Sequence, residues 1–292
     1  MIIKNGLVFT QDKIFEKKDI YIEDGRFVFP DAYTGEQADV IDAEGQFVLP
    51  GLIDIHSHGA VGCDFSDGDK DGVKKILSYE RAHGITTYCP TSMTLPLETL
   101  ETAYASLDDP SFFHLANIRT DKPASGQAPE ESGYARIAGI NMEGPFLDEA
   151  KKGAHQACYL RPATAAFFDA CQKSASGAIC LVTVAPNIAD NIDFIRDYHN
   201  KVTISLGHTS CDCATAGKAI TAGADHLTHL FNAMPSLLHR EPGLIGAAMD
   251  AEDVYAELIA DGILVHDTMI RNAFRMFPDH ICLISDSIRS TG

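Results

Sequence analysis

The sequence lacks the hydrophobic runs and the basic charge that several classes of protein require. No apolar stretch reaches the roughly 18–20 residues that span a bilayer, and the amino-terminal MIIKNGLVFTQDK is too polar for a signal peptide. Lysine and arginine number 23 against 41 acidic residues, which gives a net charge of −18. Because such a surface repels nucleic acid and anionic membranes at long range, we expect neither as a partner. A cytoplasmic location is the default expectation for a sequence with neither a bilayer-spanning stretch nor a signal peptide.

The eight cysteines also lack a repeating frame. Cys211 and Cys213 form an isolated C-x-C pair, which is too short to indicate a zinc site by itself. We therefore expect reduced thiols that mostly serve in packing. With 45% hydrophobic and 22% charged residues, the chain of 292 residues has an ordinary globular composition and can bury a large core.

Residues 1–49 have the pattern of a β-sheet. Three runs alternate apolar and polar residues, and Asn-Gly, Asp-Gly and Glu-Gly pairs, which favour tight turns, divide them. Since so short a segment does not easily form a stable sheet alone, we expect it to pack on another segment.

From residue 48 onward, strand-like runs alternate with helical ones. The eight strand-like runs are VLPGLIDIHSHG, ITTYCPTS, RIAGINMEGP, AICLVTVAPN, VTISLGHTS, HLTHLFNAMP, VYAELIADGI and HICLISDS. Between them, DGVKKILSYERAHG has helical spacing, with Val73, Ile76 and Leu77 on one side. Eight such repeats predict an α/β fold with a (β/α)8 barrel, and the polar segment 108–134 is predicted to be a surface insertion. A barrel normally continues into a helix after its eighth strand, so we expect this sequence to be a truncated form of a longer protein.

Six residues that can bind metal or transfer protons lie at or just beyond the ends of these runs. They are His56, His58, Glu143, His208, His229 and Asp286. The strand ends of a parallel barrel converge at one mouth, so these side chains are predicted to meet there. His56 and His58 are two positions apart in a strand and therefore project to the same face. A metal held by carboxylate and imidazole can make a nucleophile from water, which points to hydrolysis.

Each of the six has a plainer interpretation. The histidines could be exposed loop residues or core residues whose nitrogens are hydrogen-bonded within the protein, and His226 is an in-strand alternative to His229. Glu143 could be a surface residue, and Asp286 could cap a turn. Their shared placement at strand ends favours a metal site, and zinc or iron suits the mixed nitrogen and oxygen ligands. Asp286 could accept a proton from water and donate it to a leaving amine.

Basic residues stand out in two loops of this acidic protein. Arg240, within LLHREPGLIGA, is predicted to bind an anion. Lys151 and Lys152 follow Glu143 at a short distance, but solvated loop charge is the favoured interpretation for them.

The motifs resemble a known family. PGLIDIHSHG is similar to the amidohydrolase superfamily, and MEGPFL, KKGAH, GHT, THLFNAMP, HREPGLIGA and ADG resemble the N-acetylglucosamine-6-phosphate deacetylases within it. The resemblance runs along the whole sequence. It implies that residues 1–49 are the N-terminal part of a small β-sandwich domain, and that residues 50–292 are a metal-dependent (β/α)8 barrel whose last helix and C-terminal strands are missing. It also implies hydrolysis of the acetamide of N-acetyl-D-glucosamine 6-phosphate to glucosamine 6-phosphate and acetate.

The resemblance further implies roles by motif position. Glu143, His208 and His229 match the principal metal ligands. His56 and His58 match a pair that only some members carry, so the resemblance implies one or two divalent metal ions, zinc or iron. Beyond the metal ligands, the matches are Asp286 as the catalytic acid and base, His155 as a substrate contact, Asn232 and Ala233 beside the sugar phosphate, and Arg240 as the phosphate-binding arginine. Because family members offer that arginine to a neighbouring subunit's site, a homodimer is implied.

One position departs from the family pattern. Where the family has a histidine after the seventh strand, this chain has Leu264, and His266 follows two residues later. In an extended chain both would point to the same side, so we predict that His266 contacts substrate in its place.

Two alternatives stay open. The first is an amidohydrolase that acts on another N-acyl amino sugar or on a cyclic amide. Glu143 argues against the cyclic-amide enzymes, many of which carry a carboxylated lysine at that kind of position. The second is a non-catalytic metal-binding protein on the same scaffold, against which Asp286 argues.

Overall fold

The computed structural model of the chain describes residues 1–35, 39–108, 112 and 133–292. They form two compact units, one within residues 1–52 and one that begins at Ile53. Nearly all of the predicted insertion 108–134 lies outside the described residues. No helix of the described part is long and apolar enough to cross a bilayer.

The first unit is the predicted β-sheet. Its strands are β1 (Ile2–Phe9), β2 (Phe15–Glu23), β3 (Arg26–Val28), β4 (Val40–Asp42) and β5 (Phe47–Val48). Strand β1 pairs antiparallel with β2 and parallel with β4 and β5, and β2 pairs antiparallel with β3. Asp24 and Gly25 join β2 to β3 with φ of 50° and 72°. Two consecutive positive φ values are what a two-residue hairpin turn requires, which explains the Asp-Gly signal.

The second unit is the predicted parallel barrel. Its eight strands, in spatial order, are β6 (Leu52–Ser57), β9 (Ile85–Ser92), β11 (Ile140–Glu143), β12 (Ile179–Val184), β13 (Thr203–Leu206), β14 (His226–Leu227), β15 (Tyr255–Ile259) and β16 (Ile281–Ile284). Three shorter strands accompany them, β7 (Gly59–Ala60), β8 (Cys63–Asp64) and β10 (Arg136–Ile137). The two ends of the sheet approach each other, since Asp286 N–H donates to the carbonyl oxygen of His56 at 2.9 Å and His58 N–H to that of Ser287 at 2.8 Å.

Helices alternate with these strands. They are α1 (Lys70–Ala82), α2 (Leu97–Ala105), α3 (Ala165–Ser174), α4 (Asn191–Tyr198), α5 (Cys213–Thr221), α6 (Gly243–Met249) and α7 (Asp267–Met276). In α1 the predicted apolar side is buried through Val73, Ile76 and Leu77, and Asp69 caps its amino terminus by accepting the N–H of Asp71. Helix α6 and the β7–β8 hairpin were not predicted from the sequence. These elements are so short that the spacing of their apolar residues shows no recognisable period.

Candidate active site

Glu143 is the centre of a buried cluster of histidines. It ends β11, and its side chain points into the barrel with only 2% of the residue exposed. Its Oε1 lies 3.0 Å from Nε2 of His208 and 3.0 Å from Nε2 of His229. Its Oε2 lies 3.1 Å from Nε2 of His58 and 3.2 Å from Nε2 of His155. The tertiary structure thus brings four histidines onto one carboxylate.

Two groups of side chains in this cluster could hold a metal ion. One is His56, His58 and Glu143, and the other is Glu143, His208 and His229. Within each group the ligand atoms all lie within 4.8 Å of one another. Glu143 belongs to both groups, so its two oxygens could serve two ions. His226, the alternative to His229, instead hydrogen-bonds the hydroxyl of Ser205 through Nδ1 at 3.0 Å and belongs to neither group.

Hydrogen bonds to Nδ1 orient three of the four histidines that belong to these two groups. Nδ1 of His208 donates to the carbonyl oxygen of Lys151 at 2.8 Å. Nδ1 of His58 donates to the carbonyl oxygen of Thr91 at 3.1 Å, and Nδ1 of His56 to Glu257 Oε2 at 2.8 Å. In the neutral ring the proton is then on Nδ1, so the Nε2 lone pair faces Glu143. This is the orientation that metal-binding histidines take.

These contacts decide whether the residues fit a divalent metal. Nε2 of His208 and Nε2 of His229 approach within 2.9 Å of each other while both face a carboxylate oxygen. Nε2 of His56 is buried without a hydrogen-bond partner among the described residues. Electron-rich atoms that converge in a buried space need a cation between them, and imidazole with carboxylate is a ligand set for zinc or iron. The residues therefore fit the metal.

Backbone geometry marks the same strand ends. His208, His229 and Asp286 have positive φ values of 45°, 31° and 47°. Residues other than glycine rarely adopt this left-handed conformation, and such strain collects at functional sites. Here it turns each side chain inward immediately after a strand.

Asp286 lies beside the first group and is partly open to solvent. Its Oδ1 is 3.4 Å from Nε2 of His58 and 3.5 Å from Nε2 of His56, and 23% of its side chain is exposed. Burial by itself would raise the pKa of Asp286, but the neighbouring imidazoles of His58 and His56 together hold it below its usual value. The carboxylate is therefore ionised and able to accept a proton.

The contacts between Glu143 and the histidines also shift the pKa values of Glu143 and His155. Burial would raise the pKa of Glu143, but His56, His208 and His155 together lower it well below its usual value. Burial lowers the pKa of His155, and Glu143 offsets this only in part. His155 is thus neutral, and because its Nδ1 accepts the N–H of Thr94 at 3.2 Å, its Nε2–H points at Glu143.

Four sequence-predicted residues lie outside this cluster. The Asn232 side chain donates to the carbonyl oxygens of His229 and Leu230, both at 3.3 Å, and Ala233 has a φ of 50° in the same loop. Arg240 is exposed and makes no hydrogen bond or ion pair with the part of the chain that the structure describes. His266 is exposed and caps α7, since its Nδ1 accepts the N–H of Thr268 at 3.1 Å. Their roles in substrate binding stay predictions.

The two loop lysines have structural partners. Nζ of Lys151 lies 3.3 Å from the carbonyl oxygen of Met234, and Nζ of Lys152 lies 3.2 Å from that of His155. The loop after β11 is therefore tied to the loop after β14.

Two buried carboxylates at the site were not predicted from the sequence. Glu257 contacts His56, and Asp54 accepts the N–H of His56 at 3.1 Å and that of Ser285 at 3.4 Å. Each interrupts an apolar run, LIDI or AELI, that forms a barrel strand. An acidic residue inside such a run is costly unless it is paired, so this signal could have identified both.

Comparison with known proteins agrees with this geometry. The sequence profile of the Amidohydrolase family matches residues 47–292. An N-acetylglucosamine-6-phosphate deacetylase of Bacillus subtilis is 33% identical over 299 residues, covering 100% of this chain and 72% of that protein. One of Bos taurus is 30% identical over 291 residues, covering 94% of this chain and 67% of that protein.

The chain belongs to the N-acetylglucosamine-6-phosphate deacetylase family of amidohydrolases.

Solved structures support this assignment. N-acetyl-D-glucosamine-6-phosphate deacetylase from Mycobacterium smegmatis superimposes with a TM-score of 0.83 at 27% identity, covering 100% of this chain and 72% of that one. A mutant of the same enzyme, in complex with N-acetyl-D-glucosamine-6-phosphate, also has a TM-score of 0.83, at 28% identity over 99% of this chain and 71% of that one. The resemblance inferred from the motifs is thus confirmed, as is the barrel fold.

Proposed function

We propose that this chain hydrolyses the acetamide of N-acetyl-D-glucosamine 6-phosphate to glucosamine 6-phosphate and acetate in a metal-dependent reaction. The observation that carries the proposal is the cluster around Glu143, in which two metal-binding groups share one carboxylate beside the ionised Asp286. The names of the relatives supply the substrate.

Each residue has a proposed role. Glu143, His208 and His229 are the principal metal ligands, and His56 and His58 with Glu143 allow a second ion. A divalent ion, zinc or iron, would supply Lewis acidity toward the acetamide carbonyl and would lower the pKa of a water molecule.

Asp286 is the proposed proton carrier. Its ionised carboxylate accepts the proton of the attacking water, and the water oxygen forms a bond to the acetamide carbon. When the bond from carbon to nitrogen breaks, Asp286 returns the proton to the leaving amine. Its 23% exposed side chain can be reached by substrate while it remains within 3.5 Å of the histidines.

The neutral His155 donates through Nε2–H. This donor points at Glu143 Oε2, 3.2 Å away. We propose that it turns to hydrogen-bond the substrate, where it would stabilise negative charge on the carbonyl oxygen.

The sugar phosphate has its own proposed partners. Asn232 and Ala233 line the segment beside it, His266 contacts the sugar, and Arg240 binds the phosphate of substrate held by the partner subunit of a homodimer. The exposure of Arg240, without a partner among the described residues, is consistent with a role across an interface. In this scheme residues 1–49 belong to a small β-sandwich domain, residues 50–292 form the catalytic barrel, and the enzyme acts in the cytoplasm.

Acetate release by the purified protein tests the proposal. We expect release from N-acetyl-D-glucosamine 6-phosphate that a chelator abolishes and that added Zn²⁺ or Fe²⁺ restores. N-acetyl-D-glucosamine without phosphate is the matched control, and other N-acylated amino sugar phosphates test the substrate. Faster release from one of those compounds would replace the proposed substrate, and metal-loaded protein that releases no acetate from any of them would overturn the function.

A further inference from the structure

Glu257 is a buried carboxylate that no step above uses. It lies in the middle of β15, within the apolar run YAELI, and is 0% exposed. A carboxylate in such a place is costly to bury unless its partners compensate. The contacts of Glu257 therefore indicate which groups it positions.

One oxygen of Glu257 contacts both candidate metal groups. Oε2 lies 2.8 Å from Nδ1 of His56 and accepts the backbone N–H of His229 at 3.1 Å. His56 belongs to one group and His229 to the other. The backbone carbonyl of Glu257 also accepts the N–H of Leu230 at 2.8 Å, so Glu257 holds two consecutive amides of the loop after β14.

We infer that Glu257 is a positioning residue that couples the two metal groups through His56 and His229. This inference rests on the proposed metal-dependent function. Toward His56, Glu257 receives the Nδ1 proton, so the lone pair of Nε2 faces Glu143 and Asp286, each 3.5 Å away.

His229 depends on Glu257 in a different way. Carbonyl oxygens hold Nδ1 of His208 and of His58, but Nδ1 of His229 has no hydrogen-bond partner among the residues the structure describes. No contact at Nδ1 therefore orients the ring of His229, so its position follows its backbone. That backbone has the uncommon φ of 31°, and Glu257 is bonded to its N–H.

The surroundings of the other oxygen of Glu257, Oε1, distinguish a positioning role from general stabilisation of the fold. Oε1 is buried without a hydrogen-bond partner in the described part of the chain, and Nδ1 of His226 lies 3.8 Å from it, beyond hydrogen-bond distance. A carboxylate that served only stability would be expected to satisfy both oxygens. Here the satisfied oxygen is the one that contacts the two metal-binding histidines.

The test is Zn²⁺ binding by metal-free protein, measured in competition with a chromophoric chelator. We expect Glu257→Gln, which keeps the shape and removes the charge, to weaken Zn²⁺ binding by about 10–100-fold. The visible spectrum of the Co²⁺-loaded variant should also change, because the ligand geometry changes. Tyr198→Phe is the matched control: it removes the hydrogen bond from the Tyr198 hydroxyl to Asp169, 2.9 Å long, between helices α4 and α3 and should leave Zn²⁺ affinity unchanged.

A double variant tests the coupling. In a His56→Ala background only the group of Glu143, His208 and His229 remains. There Glu257→Met, which has no oxygen to accept the His229 N–H, should still weaken Zn²⁺ binding through the His229 backbone. If it has no effect there, Glu257 acts on one group alone and the coupling is overturned. If Glu257→Gln does not fold, Glu257→Asp replaces it, since a side chain shorter by one methylene withdraws the oxygen from both histidines while keeping the charge.

The outcomes separate this inference from the proposed function. Wild-type Zn²⁺ affinity in the Glu257 variants, together with an unchanged Co²⁺ spectrum, would overturn the positioning role and leave the deacetylase proposal intact. If the wild-type protein itself bound neither ion, the metal-dependent function would fall, and this inference with it.

Discussion

Nδ1 of His208 donates to the carbonyl oxygen of Lys151 at 2.8 Å, so the loop after β11 determines which nitrogen of His208 faces Glu143. Asp148 fixes that loop. Its carboxylate accepts the N–H of Ala150 and of Ser210, both at 3.0 Å, and its own N–H donates to the carbonyl oxygen of His208 at 2.9 Å. One aspartate thus ties the two loops that meet at the metal site.

We expect Asp148→Ala to lower Zn²⁺ affinity by about tenfold, because partners behind a ligand histidine typically matter to that extent. Chelator competition measures the effect. Asp69→Ala is the matched control, since Asp69 caps α1 in the same way, by accepting a backbone N–H two residues on. It should cost about 1 kcal/mol of unfolding free energy and leave Zn²⁺ affinity unchanged. Equal affinity in both variants would contradict the role of Asp148.

Asp286→Asn should reduce the rate constant for acetate release by about 10²–10⁴-fold, because an amide cannot carry the proton from water to the amine. Metal analysis of the same sample should show that the ion is retained. Asp261→Asn, an exposed position in the loop after β15, serves as the control. If Asp286→Asn released acetate at a near wild-type rate with metal bound, the proton would travel by another group.

Arg240→Ala should raise the KM for the phosphorylated substrate by roughly 10–100-fold, the value of one charge-assisted hydrogen bond. Because Arg240 is exposed, the melting temperature should not change. Lys218→Ala removes an exposed positive charge from α5 instead and should leave KM unaltered. Steady-state kinetics on N-acetylglucosamine with and without the phosphate would show whether the loss is specific to the phosphate, and equal losses on both would refute that assignment.

Glu80→Gln should stabilise the protein at alkaline pH. Glu80 in α1 is 4% exposed, and burial, together with the nearby Asp54, raises its pKa from 4.5 to about 7. The folded state therefore holds this proton more tightly than the unfolded state, so stability falls as pH rises from about 4.5 and the loss is complete above about 7. The substitution removes a penalty on the order of 2 kcal/mol at about pH 8 and little at about pH 4.

Urea unfolding at both pH values measures this difference, with the exposed Glu252→Gln as control. An equal gain for Glu80→Gln at both pH values would mean that the effect does not come from the titration of Glu80.

The order of strands and helices could be read from the sequence because it is a local property. ITTYCPTS is β9 over the same residues, Ile85–Ser92, and each of the other seven strand-like runs contains one strand of the barrel. Short elements were less predictable. Strand β14 contains only His226 and Leu227, so His229 lies two residues beyond the strand rather than at its last position. At the backbone turn that follows, the N–H of His229 donates to Glu257, which is 28 positions away in the sequence.

The sequence by itself determined which chemical groups stand at the strand ends, because strand periodicity and the alternation with helices place them at one mouth. Only the tertiary structure decided how those groups are oriented. The ring nitrogens of His208, His58 and His56 are held by Lys151, Thr91 and Glu257, which lie 57, 33 and 201 positions away. A hydrogen bond between such distant segments exists only once the barrel has closed, and it sets which nitrogen faces Glu143.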